Sequence, residues 1–171
     1  MNTPLQRKHP RHARRVAGFS LIELLIVIAI ILTIAAIAIA SFLKSKIQAN
    51  ETAAASAMRT ITTSMVAYQT SYQIGFPASL AALGPGGGGA ATSANAQLID
   101  SALASTIRGG YQFNYVPVDT NGDGQFDIFT LQAIPVTPGI SGNKYFFVDQ
   151  TNVIRFALGG PANAASTPIP Q

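Results

Sequence analysis

A single acid interrupts a stretch that otherwise carries no charge. From Gly18 to Leu43 the chain reads GFSLIELLIVIAIILTIAAIAIASFL, and Glu23 is its one ionisable side chain. Phe19 to Leu43 is 25 residues, about 37 Å as an α-helix at ~1.5 Å per residue, enough to cross a hydrocarbon core of about 30 Å. The first element is therefore an apolar helix able to span a membrane. A carboxylate inside such a helix needs a partner or a purpose.

Charge on either side orients the segment. Five Lys/Arg precede it (Arg7, Lys8, Arg11, Arg14 and Arg15) and Lys44 and Lys46 follow it. The excess before the helix predicts a cytoplasmic N-terminus and an exported C-terminal body. The formal net charge of +4 belongs to that leader: without residues 1–18, six Lys/Arg remain against seven Asp/Glu, a net of −1. The body is thus not a basic, nucleic-acid-binding domain. The chain has no cysteine, and both histidines, His9 and His12, lie in the leader. A processed form has neither residue, which excludes Ser-His and Cys-His catalysis and almost all zinc sites.

Two cuts are conceivable. A secretory signal peptide would end at Ala38-Ile39-Ala40, before Ser41, but its apolar core is usually ~7–15 residues and this one is longer and acidic. The other cut falls between Gly18 and Phe19, where glycine leaves the backbone open to a protease. The run Arg14-Arg15-Val16-Ala17-Gly18-Phe19-Ser20-Leu21-Ile22-Glu23-Leu24-Leu25 resembles the class III leader and N-terminal helix of type IV pilins and type II secretion pseudopilins. The resemblance implies cleavage after Gly18 and N-methylation of Phe19 by a membrane prepilin peptidase. It implies a homo-oligomeric helical filament with the apolar helices at its centre, built by an assembly platform and a cytoplasmic ATPase. It also implies an inner-membrane, single-pass precursor whose head is exported to the periplasm. Many family members carry a glycine and a proline in this helix, where Leu32 and Ala40 stand here; local melting is correspondingly less expected.

Two roles compete for Glu23. Ser20-Leu21-Ile22-Glu23 fits the S-x-x-E capping box, and an acid in the first turn suits the helix dipole. Cleavage after Gly18 would alternatively create an amine on Phe19, four residues away on the same helix face. Glu23 would then pair with that amine, its own or a neighbour's, and set the register of packed helices. An unpaired carboxylate in low dielectric is costly.

Beyond Leu43 the spacing of Ile47, Ala54, Met58, Ile61, Met65, Tyr68 and Tyr72 predicts an amphipathic continuation, a single helix of about 50 residues. Asn, Ser, Thr, Glu51 and Arg59 fall on its opposite face. A coiled-coil reading fits less well, because the stripe is short and Ala-rich. Gly75 and Pro77 end the helix. Short helices are expected at 78–83 and 96–107, and Gly84–Gly89 reads as a loop without the Lys-Ser/Thr of a phosphate loop. Four strands follow, beginning at Tyr111, Asp127, Lys144 and Asn152, their aromatic faces packing on the helix. The resemblance to pilins continues through Met58-Arg59-Thr60-Ile61, Gly75–Leu83, Gly109-Gly110-Tyr111 and Phe146–Asp149. The expectation is α+β and pilin-like: a leader at 1–18, an assembly helix at 19–43, a head at 44–158 and a loosely ordered tail at 159–171.

One further motif stands outside this scheme. Asp119, Asn121, Asp123, Gln125 and Asp127 place oxygens at alternate positions around Gly122 and Gly124, as in an acidic Ca²⁺ loop. The glutamate an EF-hand needs is replaced by Thr130. A hairpin turn built on Asn-Gly and Asp-Gly explains the same residues, and no cofactor is otherwise required. A non-polymerising, membrane-anchored calcium-binding domain is the alternative of another class. No converging acid–base set suggests an enzyme.

Overall fold

The computed structural model describes residues 18–170; the leader basic run lies outside them. It contains α1 (Leu21–Tyr72), α2 (Leu80–Leu83), α3 (Ser101–Ala104) and six strands: β1 (Ile107–Arg108), β2 (Tyr111–Val118), β3 (Ile128–Pro135), β4 (Lys144–Asp149), β5 (Arg155–Leu158) and β6 (Thr167–Pro168). This is the expected α+β, pilin-like arrangement of a long helix and an antiparallel sheet. The described residues divide between Ala40 and Ser41 into two units.

The 52 residues of α1 contain neither Gly nor Pro, the two residues that most oppose a helix interior. Seven of its Ser/Thr hydroxyls fold back onto carbonyls three or four residues earlier, Thr33 onto Ile30 at 2.8 Å. This gives each hydroxyl a partner without help from solvent. Gln73 turns to φ 53° and Gly75 to φ 80°, and the helix stops. Gly75 is required there: a Cβ would lie 2.5 Å from the Phe126 carbonyl oxygen.

In the second unit the sheet is a simple meander, β1-β2-β3-β4-β5-β6, antiparallel throughout. Its core face carries Phe113, Phe129, Leu131, Ala133, Phe146 and Val148, which pack with Met58, Ile61, Met65 and Tyr68 of α1. The stripe read from periodicity is the buried one, although Ile47 and Tyr72 are only half-buried. Burial of this cluster is the dominant stabilising term for the head, at about 25 cal/mol per Å² of apolar surface.

Four details differ from expectation. The sheet has six strands, because two-residue edge strands are too short to produce an alternation. The last main strand starts at Arg155 rather than Asn152, since Asn152 sits at φ 59° in the β4–β5 turn. The helix anticipated at 96–107 shrinks to α3, one turn capped by Asp100, whose carboxylate accepts from Leu103 N–H at 2.6 Å; Gln97 at φ 56° breaks the start. The segment after Leu158, expected to be a loose tail, returns as β6. On the way Ala162 becomes buried, with its carbonyl accepting from Gln132 Nε2 at 3.4 Å. Gln132 is the register partner of Phe147, so this segment covers the sheet face opposite the main core, where Phe147 is 7 % exposed.

Candidate functional site

The described residues of the first unit present an apolar helical surface with an acid in its first turn. Every residue from Gly18 to Ala40 is exposed except Ala35, which is half-buried. Phe19 is 80 % exposed, and Leu21, Ile31, Ile34 and Ile37 all exceed half exposure. A contiguous surface of this kind marks a membrane or a protein interface. Among the described residues α1 is the one helix long and apolar enough to cross a membrane.

Gly18 and Phe19 precede the first helical residue, Leu21, and Glu23 lies in the opening turn. The backbone carbonyl of Ser20 accepts from Leu24 N–H at 3.2 Å. Among the described hydrogen bonds the Ser20 hydroxyl does not cap Glu23, so the capping box is not closed. Glu23 is in neither of the ion pairs of the described residues, Arg108–Asp100 and Lys144–Glu51.

The sequence reading missed Glu51. Placed on the polar face by periodicity, it is 7 % exposed. Its Oε1 accepts from Asn143 N–H at 2.9 Å and Lys144 N–H at 3.3 Å, and its Oε2 meets Lys144 Nζ at 3.0 Å. Asn50 Nδ2 donates to Ser141 O at 2.9 Å, and Tyr111 Oη donates to Lys144 O at 2.9 Å. These bonds tie the β3–β4 loop to α1. Burial, with the Glu51 charge second, pushes the Tyr111 phenol well above its ordinary range, keeping it a neutral donor. Gly142 permits the closure, since a Cβ there would overlap the Tyr111 ring. The role is structural, and only contact with a distant loop reveals it.

The acidic loop is organised by its own side chains. Asp119 Oδ1 accepts from Asn121 and Gly122 N–H at 3.1 and 2.7 Å, and Oδ2 from Gly124 N–H at 2.9 Å. These bonds, those from Gly124 and Gly122 first, hold its carboxyl below the usual value. Asn121 Oδ1 accepts from Asp123 N–H at 2.9 Å, and Asp123 Oδ1 from Gln125 N–H at 2.8 Å. Asp127 Oδ2 closes the loop on Thr120, through N–H at 3.0 Å and Oγ1 at 2.6 Å. Among the described residues no three His, Cys, Asp or Glu groups gather as metal ligands. In this arrangement the carboxylates serve loop N–H groups, the geometry of a turn.

Two open hollows flank α1 on its β5–β6 side. One is lined by Arg59, Val66, Ile154 and Ile169, the other by Glu51, Arg59, Lys144 and Phe156. Neither presents a nucleophile beside a free base, since Glu51 and Lys144 are consumed by each other.

The class the elements define is an α+β, pilin-like chain with a membrane-capable N-terminal helix. The start of that helix narrows it: residues 13–39 match the family model of the prokaryotic N-terminal methylation motif, the signature of type IV pilins and pseudopilins. The motif supports a type IV pilin-like or pseudopilin precursor and points to a structural subunit rather than an enzyme. No curated protein and no solved structure matches the chain.

Proposed function

We propose that this chain is the precursor of the structural subunit of a type IV pilus-like filament. Prepilin peptidase removes residues 1–18 in the inner membrane and methylates the new amine of Phe19. The apolar half of α1 holds the subunit in the bilayer, N-terminus cytoplasmic and head periplasmic, until an assembly platform and its ATPase draw it into the filament. There the exposed helix surface exchanges lipid for neighbouring helices. Glu23 meets the amine of Phe19, on its own chain or the next, and an incoming subunit out of register leaves that carboxylate unpaired in low dielectric.

The observation that carries this reading is the methylation motif running directly into an exposed apolar helix whose one acid has no ion-pair partner among the described residues. The same motif serves type II secretion pseudopilins, and the chain as a major pseudopilin is the second reading. Mass spectrometry of the mature N-terminus is the first test, with N-methyl-Phe19 expected. A start at Ser41 would make this a secreted protein, and an intact Met1 a simple anchor. Electron microscopy of surface filaments then separates a pilus from a short periplasmic pseudopilus.

A further inference from the structure

Three cations of the second unit lie along α1. Lys44, Lys46 and Arg59 are exposed on the helix, and among the described residues none of them is ion-paired. Arg59 is the only charged residue between Glu51 and Asp100, so its charge is not a by-product of a generally ionic surface. Of the acids without a cationic partner among the described residues, Asp149 ends β4, and Asp119, Asp123 and Asp127 cluster in the β2–β3 loop. That loop is fixed just past the other end of the helix: Phe76 N–H donates to Phe126 O at 2.8 Å, and Gly75 and Phe76 both bridge Phe126.

Distance keeps the two sets apart within one chain. Arg59 to Tyr72 is about 20 Å and Lys46 to Tyr72 about 39 Å, at ~1.5 Å per residue. Both exceed the ~8 Å screening length at physiological salt. Within the loop, Asp119 is committed to backbone N–H groups. Asp127 Oδ1 has no hydrogen bond, and Asp123 Oδ2 has only a 3.3 Å bond from Asn121 Nδ2. Two acids therefore keep accepting capacity facing outward, at the end of the head opposite the cations.

We propose that the Asp123–Asp127 end of the β2–β3 loop in one copy docks beside Arg59 of a second copy. In a filament each copy offers the loop to one neighbour and Arg59 to another, a heterologous contact that repeats into an open helix. Its role is to set the axial offset of successive heads, as Glu23 would for the helices. The inference rests on the filament reading above.

The chain lacks cysteine, which makes the test clean. Full-length copies carrying Arg59→Cys and differently tagged full-length copies carrying Asp123→Cys are co-produced and treated with a short bis-maleimide. A cross-link joining the two tags is expected, with little between copies bearing Arg59→Cys alone. In parallel, Arg59→Asp should cut filament yield by about tenfold or more, because it sets like charges against each other. Asp123→Arg with Asp127→Arg should do the same, and the combined reversal should restore filaments. Wild-type filaments with neither the mixed cross-link nor rescue overturn the docking alone. A wild-type chain that forms no filament or oligomer overturns the filament reading and the docking with it. The cross-link needs no charge reversal, so it still decides the matter if a reversed variant fails to fold.

Discussion

Glu51 and Lys144 meet twice: the glutamate carboxylate lies 3.0 Å from the lysine ammonium and 3.3 Å from the same residue's backbone N–H. With the Asn143 N–H at 2.9 Å, one side chain of α1 holds the start of β4 in place. Glu51→Ala takes the acceptor from the part-buried Asn143 and Lys144 N–H groups and should cost about 1–3 kcal/mol. Lys144→Met should cost less, about 1 kcal/mol, since the lysine side chain is 42 % exposed and screened, and Glu51 keeps its two backbone donors. Chemical denaturation of both variants checks the ranking. Equal losses would mean that the ion pair, not the backbone bonds, holds the loop.

Gly142 faces the ring of Tyr111 with no room for another carbon. Gly142→Ala should destabilise the head by roughly 1–3 kcal/mol through overpacking. Tyr111→Phe, which removes only the hydroxyl donating to Lys144 O, should cost about 1 kcal/mol. In the double variant Gly142→Ala with Tyr111→Ala the clash is gone. The loss should then be less than the sum of the single losses, a coupling that thermal melts can measure.

Asp119 makes the β2–β3 loop sensitive to acid. Its folded pKa is lowered from the ordinary 3.8, chiefly by the N–H groups of Gly124 and Gly122. The stabilisation is present in full above 3.8 and is lost as pH falls through the depressed folded value. Melting temperature in acid should therefore drop more steeply for wild type than for Asp119→Asn. Calcium titration of the full chain is expected to leave the melting temperature unchanged, as suits a turn whose carboxylates already serve N–H groups. A rise that disappears in Asp119→Asn would identify a cation site at Asp119, Asn121, Asp123, Gln125 and Asp127.

Glu23→Ala and Glu23→Gln should leave cleavage after Gly18 intact and sharply reduce filament assembly. Both substitutions remove the charge that would meet the Phe19 amine, while an exposed first-turn acid is worth only about 0.3–1 kcal/mol to its own helix. Immunoblots of processed chain beside electron micrographs of the same cells provide the measurement. Normal filaments from either variant would remove Glu23 from the assembly step.

Truncation after Leu158 should expose Phe147. The segment carrying Ala162 and β6 covers the sheet face opposite the main core, so its removal uncovers a large aromatic side chain. A loss of about 1.5–3 kcal/mol and increased binding of a hydrophobic dye are expected. An unchanged melting temperature would make the segment dispensable.

Local chemistry determined much of this protein. The apolar run with its lone acid, the Gly18-Phe19 junction and the spacing from Ala54 to Tyr68 identify α1, its membrane-capable half and its buried face, because helix period and hydropathy depend on neighbours in sequence. The aromatic alternation likewise marks β2, β3 and β4. Only tertiary structure decided the rest. Glu51 falls on the polar side by periodicity, yet it is buried because its partners arrive more than 90 residues later. The edge strands β1 and β6 have no pattern of their own and exist because a neighbouring strand offers unpaired N–H and C=O groups. The separation of Arg59 from the Asp123–Asp127 end is invisible in sequence, where all are merely exposed charges. It emerges once Gly75 and Phe76 bind Phe126 and pin the acidic loop to the far end of the helix.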